Sequence, residues 1–317
     1  MVMEADGPIS LVVLLGPTAS GKTEMSVRWA QRFGFEIVSA DSVQVYRYMD
    51  IGTAKPSRDI RSRIPHHLID VVDPDQVFNA ARFQEEADRA VMEIQRRGRP
   101  VLVVAGSGLY LRALTKGLFP DGGKDDSLRK ALHERARRYG VGALHEMLQR
   151  VDPQAAKRIH PNDVFRVVRS LEVFMLTGIP ISRHHWEHAS GSERYRTLYL
   201  GLQRDRAELH QSIEARVDEM MAQGLLQEVR FLMERGFGPG LPSMGALGYR
   251  HMAAHIRGEM SLEESIRSMK RDTKIFARRQ MAWFRAIREV IWFRPEEEKE
   301  ILQRVEGFLG GEREDQC

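Results

Sequence analysis

The sequence predicts an α/β protein: a parallel-sheet core flanked by helices, with an all-helical insertion domain. Three observations lead there. Short apolar runs alternate with helical patterns over the first third. A glycine-rich turn joins the first such run to the first helix. The middle of the chain then reads as helix alone before strand character returns.

Ser10–Leu15 is a short apolar run ending at Gly16, and Lys22–Phe33 has helical spacing of its apolar residues. Phe35–Ala40 reads as a second strand and His67–Val72 as a third. Asn79–Arg97 is an amphipathic helix stopped by Gly98, and Val101–Ala105 is another buried strand. From Leu118 to His188 the pattern is helical, punctuated by Pro120, Gly122, Gly123, Gly140, Pro153, Pro161, Gly178 and Pro180. Strand character resumes at Tyr195–Leu202, followed by a helical stretch from Asp205 to Arg235. A long helix is expected over Ser261–Ile287, a last strand at Glu289–Phe293 and a helix in the acidic tail. The domains expected are therefore a discontinuous core, 1–117 with 195–317, and an insertion, 118–194.

The 317 residues are 42% apolar and 29% charged, which excludes a disordered chain. No apolar run approaches the roughly 20 residues that span a bilayer, so no membrane contact is expected. No leader opens the chain, and Cys317 is its single cysteine. A disulfide framework and a cysteine-rich zinc site are thereby excluded, and the reducing cytosol is the compartment expected. The formal charge of +4 hides an asymmetry. Arg267 to Arg288 holds eight basic residues and one acid, Asp272, whereas Glu296 to Asp315 holds eight acids and three bases. The basic block reads either as a polyanion contact or as a solvated helix face.

Gly16-Pro17-Thr18-Ala19-Ser20-Gly21-Lys22-Thr23 has the spacing Gly-x4-Gly-Lys-Thr after a strand and at the start of a helix. Glycines let successive backbone N–H groups converge on phosphate oxygens, and the helix N-terminus adds partial positive charge. Lys22 supplies a full charge and the Thr23 hydroxyl a ligand for Mg²⁺. A di- or triphosphate site is expected. A nucleotide hydrolase of this type carries an acid at the end of a second strand to help hold the metal. Here Val101–Ala105 runs into Gly106-Ser107-Gly108 with no acid, and the carboxylate follows Phe35–Ala40 as Asp41. Strand ends beside a phosphate loop face one crevice. Asp41 can there take a proton from an incoming nucleophile; a ligand to metal-bound water and a helix cap are the alternatives.

The loop Gly16–Thr23 and the stretch Asp41–Pro56 resemble the tRNA dimethylallyltransferases, the tRNA adenine isopentenyltransferase family. So do Asp73-Pro74 with Phe78–Phe83, Ala105–Leu111, Pro161–Asp163, Leu247–Arg250 and Arg279–Arg285, in the family's order. The resemblance implies a P-loop kinase-like core and transfer of a dimethylallyl group from dimethylallyl diphosphate. The acceptor is the exocyclic amine of the adenine just 3′ of the tRNA anticodon. It also implies diphosphate on Ser20, Gly21, Lys22 and Thr23 with Mg²⁺ on Thr23, Asp41 as general base, Ser107 positioning substrate and Arg216 near the diphosphate. Ser107 stands where the family usually has Thr, and Ala105 where it has Gly.

Contacts with the anticodon stem-loop are implied at Asp41, Ser42, Val43, Gln44 and Ser107, and at Phe165, Arg166, Val167, Val168 and Arg169. They continue through Gly245, Ala246, Leu247, Gly248, Tyr249 and Arg250, then Arg278, Arg279, Gln280, Trp283 and Arg285. Asn162 is expected to cap a helix that sets Arg166 and Arg169 one turn apart. Trp283 and Phe284 read equally as core or as stacking platforms. His184, His185 and His188 do not assemble an evident metal site. The expected protein is a monomer. A small-molecule kinase using ATP and a non-catalytic RNA-binding P-loop protein are the alternatives.

Overall fold

The computed structural model describes residues 3–4, 7–119, 123–189 and 193–311. It divides into two compact units, Met1–Thr115 with Glu193–Cys317, and Lys116–Ser192. Each boundary lies two residues before the one expected. The return is already part of the first unit at Arg194, whose N–H donates to Thr115 O and whose guanidinium pairs with Asp88.

In the first unit, β1 (Met3–Glu4) and β2 (Gly7–Pro8) form a small antiparallel pair. The main sheet is built from β3 (Ser10–Leu15), β4 (Glu36–Ala40), β5 (His66–His67), β6 (Val101–Ala105), β7 (Arg196–Leu202) and β8 (Ile291–Phe293). All its pairs are parallel, in the order β5-β4-β6-β3-β7-β8. The register sets Ala40 beside Ala105, Ala105 beside Leu15 and Leu15 beside Gly201. Four strands thus end at one level, and the loops after them meet at the carboxyl edge where such sheets bind ligands. The strands are buried on both faces, as expected where helices cover a parallel sheet.

The helices between the strands are α1 (Lys22–Phe33), α2 (Arg58–Arg63), α3 (Ala80–Arg96) and α4 (Gly108–Lys116). Asn79 caps α3 by accepting the Arg82 N–H, so the helix starts where the sequence places it. The third strand is shorter than the expected 67–72. Leu68 and Asp70 take φ of 64° and 58°, a left-handed conformation that breaks an extended run, and only Val72 returns to bridge Tyr46.

The second unit packs α5 (Asp126–Tyr139), α6 (Val141–Val151), α7 (Pro153–Arg158), α8 (Val164–Thr177) and α9 (Ile181–Ala189) around Leu132, Leu144, Leu148, Val167 and Leu171. Its buried acids are bonded, as burial requires. Asp152 accepts the N–H groups of Ala155 and Ser182, and Glu172 pairs with Arg129 and Arg169. The cap of α8 is Asp163, not Asn162: the helix begins one residue later, and the Asp163 carboxylate accepts the Arg166 N–H.

After β7 the first unit resumes with α10 (Arg206–Ala222) and α11 (Leu225–Glu234), where one helical stretch was expected. Gly224, at φ 99°, separates them. Then come α12 (Tyr249–Ile256), α13 (Leu262–Phe284) and α14 (Glu298–Leu309). A capping box of Ser261 and Glu264 starts α13. The acidic α14 lays Ile301, Val305 and Phe308 on the core, and its acids meet α1: Glu298 accepts from Arg28 and Trp29, and Glu306 pairs with Arg32. Among the described residues no helix is long and apolar enough to cross a membrane.

Candidate active site

The loop Gly16–Thr23 follows β3 and opens α1. Gly16 is required there: at φ 151°, a Cβ would stand 2.5 Å from Leu202 O. Gly21, at φ 102°, turns the chain into the helix. Lys22 Nζ donates to Gly16 O and Pro17 O at 2.8 and 2.7 Å, folding the amine over its own loop. Burial and the nearby Arg216 lower its pKa to about 7, with Asp41 opposing them. Burial also lowers the Arg216 pKa, again against Asp41. The Ser20 hydroxyl is buried with no hydrogen-bond partner among the described residues.

Lys22, Arg216 and Asp41 face a cavity of about 330 Å³ at the carboxyl edge of the sheet, which Ser20 and the loop glycines do not line. Thr18, Lys22, Thr23 and Arg216 line it together with Asp41, Ser42, Val43, Gln44 and Ser107. Ile37, Val104, Ile213, Val217, Met220, Met269 and Phe276 supply apolar lining. Asp41 Oδ1 accepts the N–H groups of Val43 and Gln44 at 2.8 and 3.3 Å, so the carboxylate caps the turn that follows it. Its Oδ2 lies 2.8 Å from the place a Cβ on Gly106 would occupy. Ser107 Oγ accepts the Ser42 N–H at 2.9 Å and donates to Ser42 Oγ at 3.1 Å, pinning the turn from the β6 side.

Several residues paired with this region are not evident in the sequence. Arg204, after β7, donates to Ser20 O at 3.1 Å. Lys55 is buried and its amine reaches Asp50, Asp70 and Tyr46 O. Glu228 of α11 accepts the N–H groups of Asp50, Ile51 and Gly52. His66 lines the cavity, with its pKa lowered mainly by burial.

The residues assigned to RNA separate into two groups. Arg278 and Arg279 on α13 and Arg285 just past its end are exposed and make no ion pair among the described residues, and Trp283 is partly exposed. Phe165 and Arg166 are exposed on α8. Gly245, Ala246, Leu247 and Arg250 line the cavity. Others turn inward. Val167 and Val168 are in the core of the second unit, and Arg169 is held by Glu172 and Gly123 O. Gly248 caps α12, Tyr249 is fully buried against Glu228, Phe284 is core, and Gln280 bonds to backbone. His184 stacks on Phe119; the side chains of His185 and His188 lie outside the described residues. No group of three or more His, Cys, Asp or Glu among the described residues is placed to hold a metal.

A family profile described as IPP transferase matches residues 44–287. A tRNA dimethylallyltransferase of Geobacter metallireducens is 49% identical over 96% of this chain and 99% of its own length. A tRNA dimethylallyltransferase 2 of Syntrophus aciditrophicus is 48% identical over 95% and 97%. Among solved structures, a tRNA isopentenylpyrophosphate transferase of Bacillus halodurans superposes with TM-score 0.69 at 39% identity, covering 96% of each chain. A eukaryotic dimethylallyltransferase acting on tRNA superposes with TM-score 0.80 at 27% identity, covering 97% of this chain and 81% of that one. With the profile spanning most of the chain and relatives aligned nearly end to end, this chain belongs to the IPP transferase family.

Proposed function

We propose that the protein transfers a dimethylallyl group from dimethylallyl diphosphate to N6 of the adenine just 3′ of the tRNA anticodon, releasing diphosphate and leaving N6-isopentenyladenosine. The observation that carries this reading is one cavity lined by Thr18, Lys22 and Thr23 of the phosphate loop, by apolar side chains and by the Asp41 carboxylate. The kinships to tRNA dimethylallyltransferases support it.

In this reading the C1–O bond of the allylic diphosphate breaks, with its electron pair leaving on the diphosphate. The loop N–H groups, Lys22 and Arg216 stabilise that departing charge. Swinging Lys22 onto a phosphate oxygen exchanges two carbonyl contacts for a charge-assisted one. N6 forms the new bond to C1, and its proton passes to Asp41 Oδ2; Oδ1 stays committed to Val43 and Gln44 and fixes the carboxylate's orientation. The adenine lone pair is delocalised into its ring, so proton removal must accompany bond formation. The apolar lining keeps water from the allylic carbon. Ser107 positions the turn that receives the base, which must be turned out of its stack to enter.

The lining fits Mg²⁺ beside the diphosphate: the Thr23 hydroxyl suits an ion that takes most of its ligands from phosphate and water. When bound there it neutralises phosphate charge. Action as a monomer in the cytosol, where tRNA is found, belongs to the same proposal. Phe165 and Arg166 on α8, Arg278, Arg279 and Trp283 on α13 and Arg285 just past its end are the exposed side chains proposed to meet tRNA.

The test incubates the protein with tRNA and dimethylallyl diphosphate, digests the RNA and weighs the nucleosides. An adenosine heavier by one C5H8 unit is expected. Consumption of labelled ATP in a parallel incubation, with no prenylated adenosine in the first, overturns the reading in favour of a kinase.

A further inference from the structure

We propose that Gln280 is a positioning residue. Its amide ties the phosphate loop to the turn after β6 and so sets the spacing between the diphosphate site and Asp41; this rests on the activity proposed above. The Thr18 N–H donates to Gln280 Oε1 at 2.8 Å, and Gln280 Nε2 donates to Gly106 O at 2.8 Å. A backbone N–H can only donate and a carbonyl can only accept, so the amide fits in one orientation alone. Gln280 is 8% exposed, although Arg278 and Arg279 beside it face solvent.

The turn that Gln280 grips is the one that limits Asp41. The N–H groups of Gly106 and Ser107 both donate to Ala40 O, directly before Asp41. A Cβ on Gly106 would stand 2.8 Å from Asp41 Oδ2 and 3.9 Å from Gln280 Nε2. One helical turn further along α13, Trp283 packs so closely on Gly108 that a Cβ there would stand 2.3 Å from its ring. The basic helix therefore holds this turn at two points and the phosphate loop at one. Near-attack geometry is sensitive to shifts of about 1 Å, and a two-ended amide clamp is suited to prevent them.

Two substitutions test the clamp. Gln280→Met keeps the length but neither bond; Gln280→Glu keeps the acceptor for Thr18 and loses the donor to Gly106. For Gln280→Met, kcat is expected to fall about tenfold or more, while the Kd for tRNA and its salt dependence stay within about twofold. Inorganic diphosphate binding, read by calorimetry without tRNA, weakens by about threefold or more as the loop loosens.

Gln280→Glu is expected to be as impaired as Gln280→Met near neutral pH and to recover as pH falls. Its protonated acid again donates to Gly106 O and accepts from Thr18. Asp41, Lys22, His66, Arg216 and Arg250 are the ionisable groups lining the same cavity, so kcat is read as the ratio to the unsubstituted chain at each pH. A tRNA Kd raised about tenfold with kcat intact makes Gln280 an RNA contact and overturns the proposal. A flat pH ratio for Gln280→Glu overturns it as well. Absence of transfer by the unsubstituted chain overturns the functional reading instead; the diphosphate titration then decides the clamp, with unchanged affinity in Gln280→Met sinking it.

Discussion

The Tyr249 hydroxyl donates to Glu228 Oε1 at 2.6 Å, and the same carboxylate accepts the N–H groups of Asp50, Ile51 and Gly52 at 3.0, 2.8 and 3.3 Å. The packing is as tight as the bonding: a Cβ on Gly52 would stand 2.5 Å from the Tyr249 ring. Glu228 thus fastens the segment 50–52 to α11 and α12, and Gly52 and Thr53 line the cavity. Glu228→Ala strands three backbone donors and a phenol, and should cost about 2–4 kcal/mol in urea unfolding. Glu228→Gln retains one acceptor oxygen and should cost less. Equal, small losses for both would remove the anchor role.

Asp41→Asn separates chemistry from structure. The amide oxygen can still accept from Val43 and Gln44, so the turn and tRNA affinity should persist. The amide has no basicity, and loss of a general base lowers turnover by roughly 10²–10⁴-fold. Rapid-quench transfer assays read the step directly. Full turnover in Asp41→Asn would show that Asp41 serves only as the cap of its turn.

Lys22 makes diphosphate binding pH-dependent. Its pKa in the free protein is about 7, and a bound anion favours the ammonium form, so binding takes up a proton at pH values above that. At pH 8 the uptake assigned to Lys22 should approach about 0.9 proton, and at pH 6 it should nearly vanish. Titration calorimetry in buffers of different ionisation enthalpy measures it, with Lys22→Met subtracting the ligand's own protons. The sign for stability follows from the same lowering. Between about 7 and the ordinary 10.5 the unfolded chain binds more protons at Lys22, so its contribution to stability rises with pH across that window and is flat below it. Uptake at pH 8 unchanged by Lys22→Met would refute the lowering.

The parts legible in sequence are those whose physics is local. The glycines of the phosphate loop are fixed by backbone angle and close approach, the helix starts at Asn79 and Ser261 by a side chain three residues from its partner, and the strands by apolar runs. Asp41 was legible because a strand end beside a phosphate loop has few places to point. What escaped depends on distant partners. Gln280 meets Thr18 across 262 residues, Arg204 meets Ser20 across 184, and Glu228 meets Asp50 across 178. Helical spacing sets Gln280 on the buried face of α13 with Met269, Thr273, Ala277 and Phe284, but it does not reveal which backbone groups the amide meets. The run Phe165–Arg169 shows the same limit. A helix presents successive residues to different sides, and here Val167 and Val168 are buried in the core of their unit while Phe165 and Arg166 are exposed. Leu68 and Asp70 break a strand-like run because Asp70 is drawn to Lys55 and Arg61, partners that an extended pattern does not reveal.

Arginines on the surface and arginines in the frame should answer differently to salt. Arg278 on α13 and Arg285 at its C-terminal end are exposed without ion pairs among the described residues, so each phosphate they meet releases counterions. For the unsubstituted chain, tRNA affinity should fall about tenfold or more between low and moderate salt. Replacing either arginine by alanine should shallow the plot of log affinity against log salt by roughly 0.7–0.9 and leave thermal stability nearly unchanged. Arg169 is the control. Its guanidinium belongs to the buried Glu172, which is fully shielded from solvent and shared with Arg129. Arg169→Ala leaves that carboxylate short of a partner, so melting of the 116–192 unit should drop while the salt slope stays put. A shallower slope without destabilisation in Arg169→Ala would return that residue to the RNA interface.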